Sequence, residues 1–173
     1  MSTARMELRE YTIRLAEPSD EAQMQTLFES DPDYFRLVQR APPGPVEARD
    51  LLSELPEGKD HRDKFVYIGF DHHATMAVVM DVVRGYPNRQ TWFVGLIFVA
   101  PERRNMGLGT RVIDAICEHV RDQGGQVVRL GVDRGNVRAR ALYERAGFHF
   151  IYERERAYAS GFKSIIDVLE RAL

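Results

Sequence analysis

The stretch that most narrows what this chain can fold into is Phe98-Val-Ala-Pro-Glu-Arg-Arg-Asn-Met-Gly-Leu-Gly-Thr110, with the residues on either side of it. The apolar run from Trp92 to Val99 reads as a buried strand, and Pro101 ends it. From Leu108 onward, Leu108, Val112, Ile113, Ile116 and Val120 recur at helical spacing. Between them lies a short loop carrying Arg103, Arg104, Gly107 and Gly109. The unit is strand, loop, helix N-terminus, which suits an anion. The first turn of a helix leaves backbone N–H groups without partners, and the aligned peptide dipoles put partial positive charge there. Glycine has no Cβ, so a phosphate can approach the backbone at 107 and 109, while Arg103 and Arg104 add charge and donors.

Three kinds of phosphate loop can be laid against it. A P-loop ends in Gly-Lys-Ser/Thr, and Gly107-Leu-Gly-Thr110 has neither the lysine nor the spacing to the first glycine. A dinucleotide fingerprint needs a third glycine three residues after Gly109, where Val112 stands. The third pattern, Arg/Gln-x-x-Gly-x-Gly/Ala, is met by Arg104-Asn-Met-Gly107-Leu-Gly109. A second segment follows in order. After a turn at Gly124-Gly125, the strand from Gln126 to Asp133 alternates Val128, Leu130 and Val132 inward, and Asn136-Val-Arg-Ala-Arg-Ala-Leu-Tyr143-Glu-Arg-Ala-Gly147-Phe148 comes next. Together the two motifs resemble the GNAT superfamily of N-acetyltransferases, whose acetyl-CoA pyrophosphate loop has the first pattern. The family's Asn-x-x-Ala-x-x-x-Tyr-x-x-x-Gly-Phe segment has the second.

The rest of the chain reads consistently with that resemblance. Met1 to Glu10 is expected to be a loose leader, and residues 11–173 a single N-acetyltransferase domain. Tyr11 to Ala16 alternates as a first strand, and Ser19 or Asp20 can cap a helix bearing Met24, Leu27 and Phe28. Asp31-Pro32 starts a short second helix, and Ala48, Leu51, Leu52 and Leu55 mark a third that Pro56 stops. Phe65 to Phe70, Ala77 to Val83 and Thr91 to Val99 form a three-strand meander leading into the loop, and the chain closes on two more strands after Phe148. The expected fold is α/β (α+β): a GNAT-like, central mixed and mostly antiparallel sheet with helices on both faces.

The resemblance implies an acetyl-CoA-dependent N-acetyltransferase, with acetyl-CoA as co-substrate and a primary amine, on a small molecule or a protein, as acceptor. The acetyl group would pass by direct attack in a ternary complex. Cofactor-binding residues carried over from the family are Ile97, Phe98 and Val99 through their backbone, then Arg103, Arg104, Asn105, Met106, Gly107, Leu108, Gly109 and Thr110, with Asn136 and Tyr143 on the second motif. Asn136 also suits a helix N-cap. Tyr143 is either a core aromatic beside Ala139, Leu142 and Ala146, or the general acid that meets the departing thiolate. Many family members place a glutamate on the strand before the loop as base; counting back from Arg104, that position is Phe93 here. Asp81, amid apolar strand residues, is the candidate substitute; an ordinary solvent-facing carboxylate is the other reading. A catalytically silent CoA-binding module is the competing function, since Phe93 speaks for it and Tyr143 against it.

Composition excludes other classes. The net charge of -2 and the interspersed basic residues leave no nucleic-acid footprint, and no apolar run approaches the ~18 residues of a membrane span. Cys117, the single cysteine, permits no disulfide within the chain, and adjacent His72 and His73 lack the converging spacing of a metal site. The expectation is a cytoplasmic protein with no metal, no nucleic acid and no membrane among its partners. Homodimers are frequent in such families.

Overall fold

The structure is a computed structural model that describes residues 6–158 and 160–173. Its framework is one seven-stranded sheet in the order β1-β2-β3-β4-β5-β7-β6. The strands are β1 (Thr12–Leu15), β2 (Lys64–Phe70), β3 (Met76–Arg84), β4 (Thr91–Val99), β5 (Val127–Asp133), β6 (His149–Ala157) and β7 (Lys163–Ala172). All neighbours run antiparallel except β4 and β5, which are joined by the crossover helix α4 (Leu108–Asp122) and therefore run parallel. Helices α1 (Glu21–Glu29), α2 (Pro32–Gln39) and α3 (Glu47–Ser53) lie before β2, and α5 (Val137–Arg145) lies between β5 and β6. The expected mixed, mostly antiparallel sheet with helices on both faces is what forms.

Strand alternation sorts the core into two layers. Val78, Met80 and Val82 of β3 face α4 and pack with Val112, Ile113, Ile116 and Val120. Val79 faces the other way and packs with Met24, Phe28 and Phe35 of α1 and α2. Because both faces are covered, β3 is buried along nearly its whole length and reads as a continuous apolar run rather than an alternating one. Phe98 anchors the second layer, its ring 5.2 Å from that of Phe28 and 5.4 Å from that of Tyr34. Of the loose leader expected over 1–10, residues 1–5 lie outside the described ones. Met6 and Leu8 are buried in the first layer, so the core takes in residues ahead of β1.

One irregularity positions everything that follows. Asp81 pairs with Leu96 and Val82 with Val94, which leaves Gly95 as an extra residue in β4. Parallel pairing of β4 with β5 runs from Thr91↔Val127 to Val94↔Leu130 and ends at this bulge. Beyond it β4 stays with β3 as far as Val78↔Val99 and parts from β5. A cleft opens where they part. Glycine is required at the bulge, because a Cβ there would stand 2.5 Å from the Asp81 carboxylate.

Candidate active site

The cleft is lined by β4 from Val94 to Ile97, by β5 from Leu130 to Asp133, and by Tyr34, Val38, Asn136, Ala139 and Tyr143 from α2 and α5. Backbone alternation decides which β4 groups face it. The Ala100 N–H donates to the Ala77 carbonyl, so alternate residues back along β4 point toward β3. Ile97 and Val99 then turn their N–H groups to the opened side. Phe98 turns its backbone to β3 and its side chain into the core, so of the three backbone positions expected at the co-substrate only Ile97 and Val99 present donors to the cleft.

The loop after β4 holds its arginines on carboxylates of neighbouring elements. The Arg104 Nη1 pairs with Asp31 Oδ2 at 2.6 Å, and its Nε donates to the Val99 carbonyl at 2.9 Å. Its guanidinium also lies over the Phe98 ring, 5.5 Å from the centroid. Asp31 is the N-cap of α2, accepting from the Tyr34 N–H at 3.1 Å. Arg103 pairs with Asp71, whose carboxylate also accepts from the Thr75 and His73 backbone N–H groups in the β2–β3 turn. Those backbone hydrogen bonds, with Arg103 beside them, hold the Asp71 carboxyl below the ordinary range. Both arginines therefore brace the loop against neighbouring elements.

What the loop offers an anion is its backbone. Asn105 and Gly107 take left-handed conformations, with φ of 62° and 76°, and Gly107 is the N-cap of α4. Among the described residues, no N–H from Asn105 through Thr110 donates to another backbone group; the first bond of this region is Arg111 N–H to the Gly107 carbonyl. Alternating left-handed residues and an unfinished helix turn give converging N–H donors. Gly107 has open space around it, whereas a Cβ at Gly109 would come 3.1 Å from Leu142 of α5. The two glycines thus serve different ends: one bends the backbone, the other lets α4 and α5 approach. Thr110, Leu108 and Met106 contribute through the backbone, Leu108 with its side chain buried and Met106 with its side chain exposed. Arg138 of α5 donates to the Asn105 side chain, closing the loop from the far side.

On α5, Asn136 caps the helix by accepting from the Ala139 N–H at 3.1 Å, and its amide nitrogen remains as a donor beside the cleft. Tyr143 faces the cleft one helix length further, its ring packed near Phe148. Burial pushes its phenol up to about 12. Tyr34 stands across the cleft, and burial, followed by the nearness of Tyr143, raises its phenol further still.

Asp81 lies behind the cleft wall. Its Oδ2 packs against Gly95, and its Oδ1 accepts from the Lys64 ammonium at 2.8 Å, with both side chains nearly buried. Burial raises its carboxyl, and Lys64 opposes the rise. It is neither the solvent-facing residue nor a lining residue of the cleft. Phe93 packs edge-on to Tyr86 at 5.8 Å, on the same sheet face. Cys117 is buried in α4, its thiol pushed up to about 11 by that burial. The residues that pattern reading missed are Asp31, Asp71 and Asp133, because each gains meaning only from a partner on another element.

A bulged β4 that parts from a parallel β5, beside the open N-terminus of a glycine-turned helix, defines the acetyltransferase class of α/β fold. The chain belongs to the Acetyltransferase (GNAT) family, whose model matches residues 21–148. It superposes on an acetyltransferase from Thermus thermophilus with a TM-score of 0.74 and 18% identity, covering 96% of this chain and 99% of that one. It also superposes on the spermidine N-acetyltransferase of Vibrio cholerae, solved with CoA and spermine, with a TM-score of 0.73 and 15% identity over 94% and 95% of the two chains. In sequence it is 42% identical over 55 residues to the mycothiol acetyltransferase of Paenarthrobacter aurescens (strain TC1). That stretch is 32% of this chain and 17% of the relative, so the chain covers less than a fifth of the relative's length. No helix among the described residues is long and apolar enough to cross a membrane.

Proposed function

We propose that the protein transfers an acetyl group from acetyl-CoA to a primary amine by direct attack, both substrates being bound together. The observation that carries this reading is the role of α5, which lines the cleft at the Gly95 bulge with Asn136, Ala139 and Tyr143 and meets the 105–110 loop, whose N–H groups have no backbone partner, through Arg138 and Leu142. The loop backbone suits the pyrophosphate, and the β4–β5 gap suits the arm that carries the thioester. The inward N–H groups of Ile97 and Val99 are available to a carbonyl oxygen as negative charge develops on it.

Tyr143 is the residue assigned to the leaving sulfur. A CoA thiol has the ordinary value of roughly 8.5. A phenol at about 12 is a weaker acid than that thiol, so Tyr143 stabilises the departing thiolate chiefly by donating a hydrogen bond rather than by losing its proton. Asp81 would have to act from behind Gly95 and against its pairing with Lys64, which makes its support of the bulge the stronger role.

The test is release of the CoA thiol from acetyl-CoA across a panel of primary amines, alongside CoA binding by thermal shift. Amine-dependent release that falls in Tyr143→Phe supports the assignment. CoA binding with no amine-dependent release favours a silent module instead, and absence of CoA binding overturns the reading.

A further inference from the structure

Asp133 ends β5, paired with Ile166 of β7, and lies beyond the last β4–β5 pair at Val94↔Leu130. It lines the cleft together with Tyr34, Asn136 and Tyr143. Its Oδ1 accepts from the Gly135 N–H at 2.8 Å, and its Oδ2 accepts from the Ser164 hydroxyl. The carboxylate is thus fixed in orientation by two neutral donors. No lysine or arginine pairs with it among the described residues.

The buried carboxylates among the described residues, by contrast, are all paired with cations. The neighbouring carboxylates are neutralised: Asp167 by Arg134 and Arg140, Glu170 by Arg129, Asp31 by Arg104, and Asp81 by Lys64. Arg134, next in sequence to Asp133, turns to Asp167 and Glu153 instead. Arg156 stacks over the Tyr158 ring, 4.9 Å from its centroid, without pairing with Asp133. Burial raises the Tyr158 phenol, Arg156 opposes the rise, and the nearby Asp133 charge adds to it. A half-buried carboxylate held rigid, uncompensated and flanked by tyrosine rings is a receptor for an organic cation, which gains a charge-assisted hydrogen bond and the aromatic faces together.

We infer that Asp133 binds the positively charged group of the acceptor, and that the acceptor is therefore an alkylammonium compound. This rests on the acetyl-transfer reading for its biological meaning, but the cation site itself can be tested without turnover. The protein is labelled with isotope-enriched aspartate, and the Asp133 Cγ resonance is assigned by its loss in Asp133→Asn. Butylammonium chloride is then titrated in, with butanol as the neutral control of similar shape. The expected result is a saturable shift of that resonance with butylammonium and none with butanol. No shift, or an equal shift with both, overturns the inference.

Kinetics give the second arm. For an amine that the wild type acetylates, Asp133→Asn is expected to raise KM about tenfold or more with a smaller change in kcat, and Asp133→Glu to recover part of the loss. An unchanged KM overturns the inference. CoA-induced thermal stabilisation of the same samples separates the two readings. Stabilisation by CoA without an ammonium response leaves acetyl transfer standing and removes the cation site. An ammonium response without stabilisation by CoA does the reverse.

Discussion

Tyr143 shows how burial sets what a single side chain can do. Its phenol, pushed up to about 12, keeps its proton across the range in which an acetyltransferase is assayed. No alkaline limb of the pH–rate profile below about pH 10 is then expected from this residue, and the profile of Tyr143→Phe should parallel that of the wild type. Its kcat should fall about a hundredfold, the scale of losing one donor at a site of developing charge, with the acetyl-CoA KM little changed. Asp81 and Lys64 behave as a unit. Removing one partner leaves the other buried and uncompensated, so Asp81→Asn and Lys64→Met should each lower stability by about 3 kcal/mol in urea titrations. A base role for Asp81 requires instead that Asp81→Asn remain stable while losing amine-dependent turnover. Tyr143 and Asn136 were legible in the sequence because their motif lies within one loop and one helix. The partnership of Asp81 with Lys64 was not, since strand alternation places a side chain on a face without naming the residue opposite.

At the level of elements, the informative contact joins the loop before α4 to the start of α2. Arg104 holds both the Val99 carbonyl and the capping residue Asp31, and α2 carries Tyr34 into the cleft. The co-substrate loop and the wall facing the acceptor therefore share one tether. Arg104→Ala should raise the KM for acetyl-CoA and for the amine together, and Asp31→Ala should do the same while lowering stability by about 1 kcal/mol through loss of the cap. An effect confined to acetyl-CoA would show that Arg104 acts on the phosphates alone. The strand–loop–helix unit could be read from spacing because its parts are adjacent in the chain. The direction of its arginines could not. Their pairing with Asp31 and Asp71 depends on elements distant in the chain, which the spacing of the loop does not reveal. Gly109 is similar: its need for a bare Cα comes from Leu142 on another helix.

For the whole molecule, the layer between the sheet and α4 contains one polar pair that couples stability to pH. His119 of α4 and Tyr67 of β2 share a hydrogen bond of 2.9 Å beneath Trp92, and the other ring nitrogen of His119 has no partner among the described residues. Burial disfavours the imidazolium there and holds the His119 pKa below its ordinary value. In the unfolded chain the same imidazole takes up a proton at about pH 6.5. As pH falls through that value the unfolded state gains a proton that the folded state does not, so stability declines, by at most about 1.4 kcal/mol per pH unit. The decline ends once pH passes below the folded pKa, and above about pH 7.5 the group has no effect. The urea midpoint should therefore drop between about pH 7.5 and about pH 5.5, and drop less in His119→Gln, whose amide can still meet the Tyr67 hydroxyl. Comparing the two proteins cancels the titration of every other group, so equal drops would show that the buried imidazole does not set the acid limit of this fold.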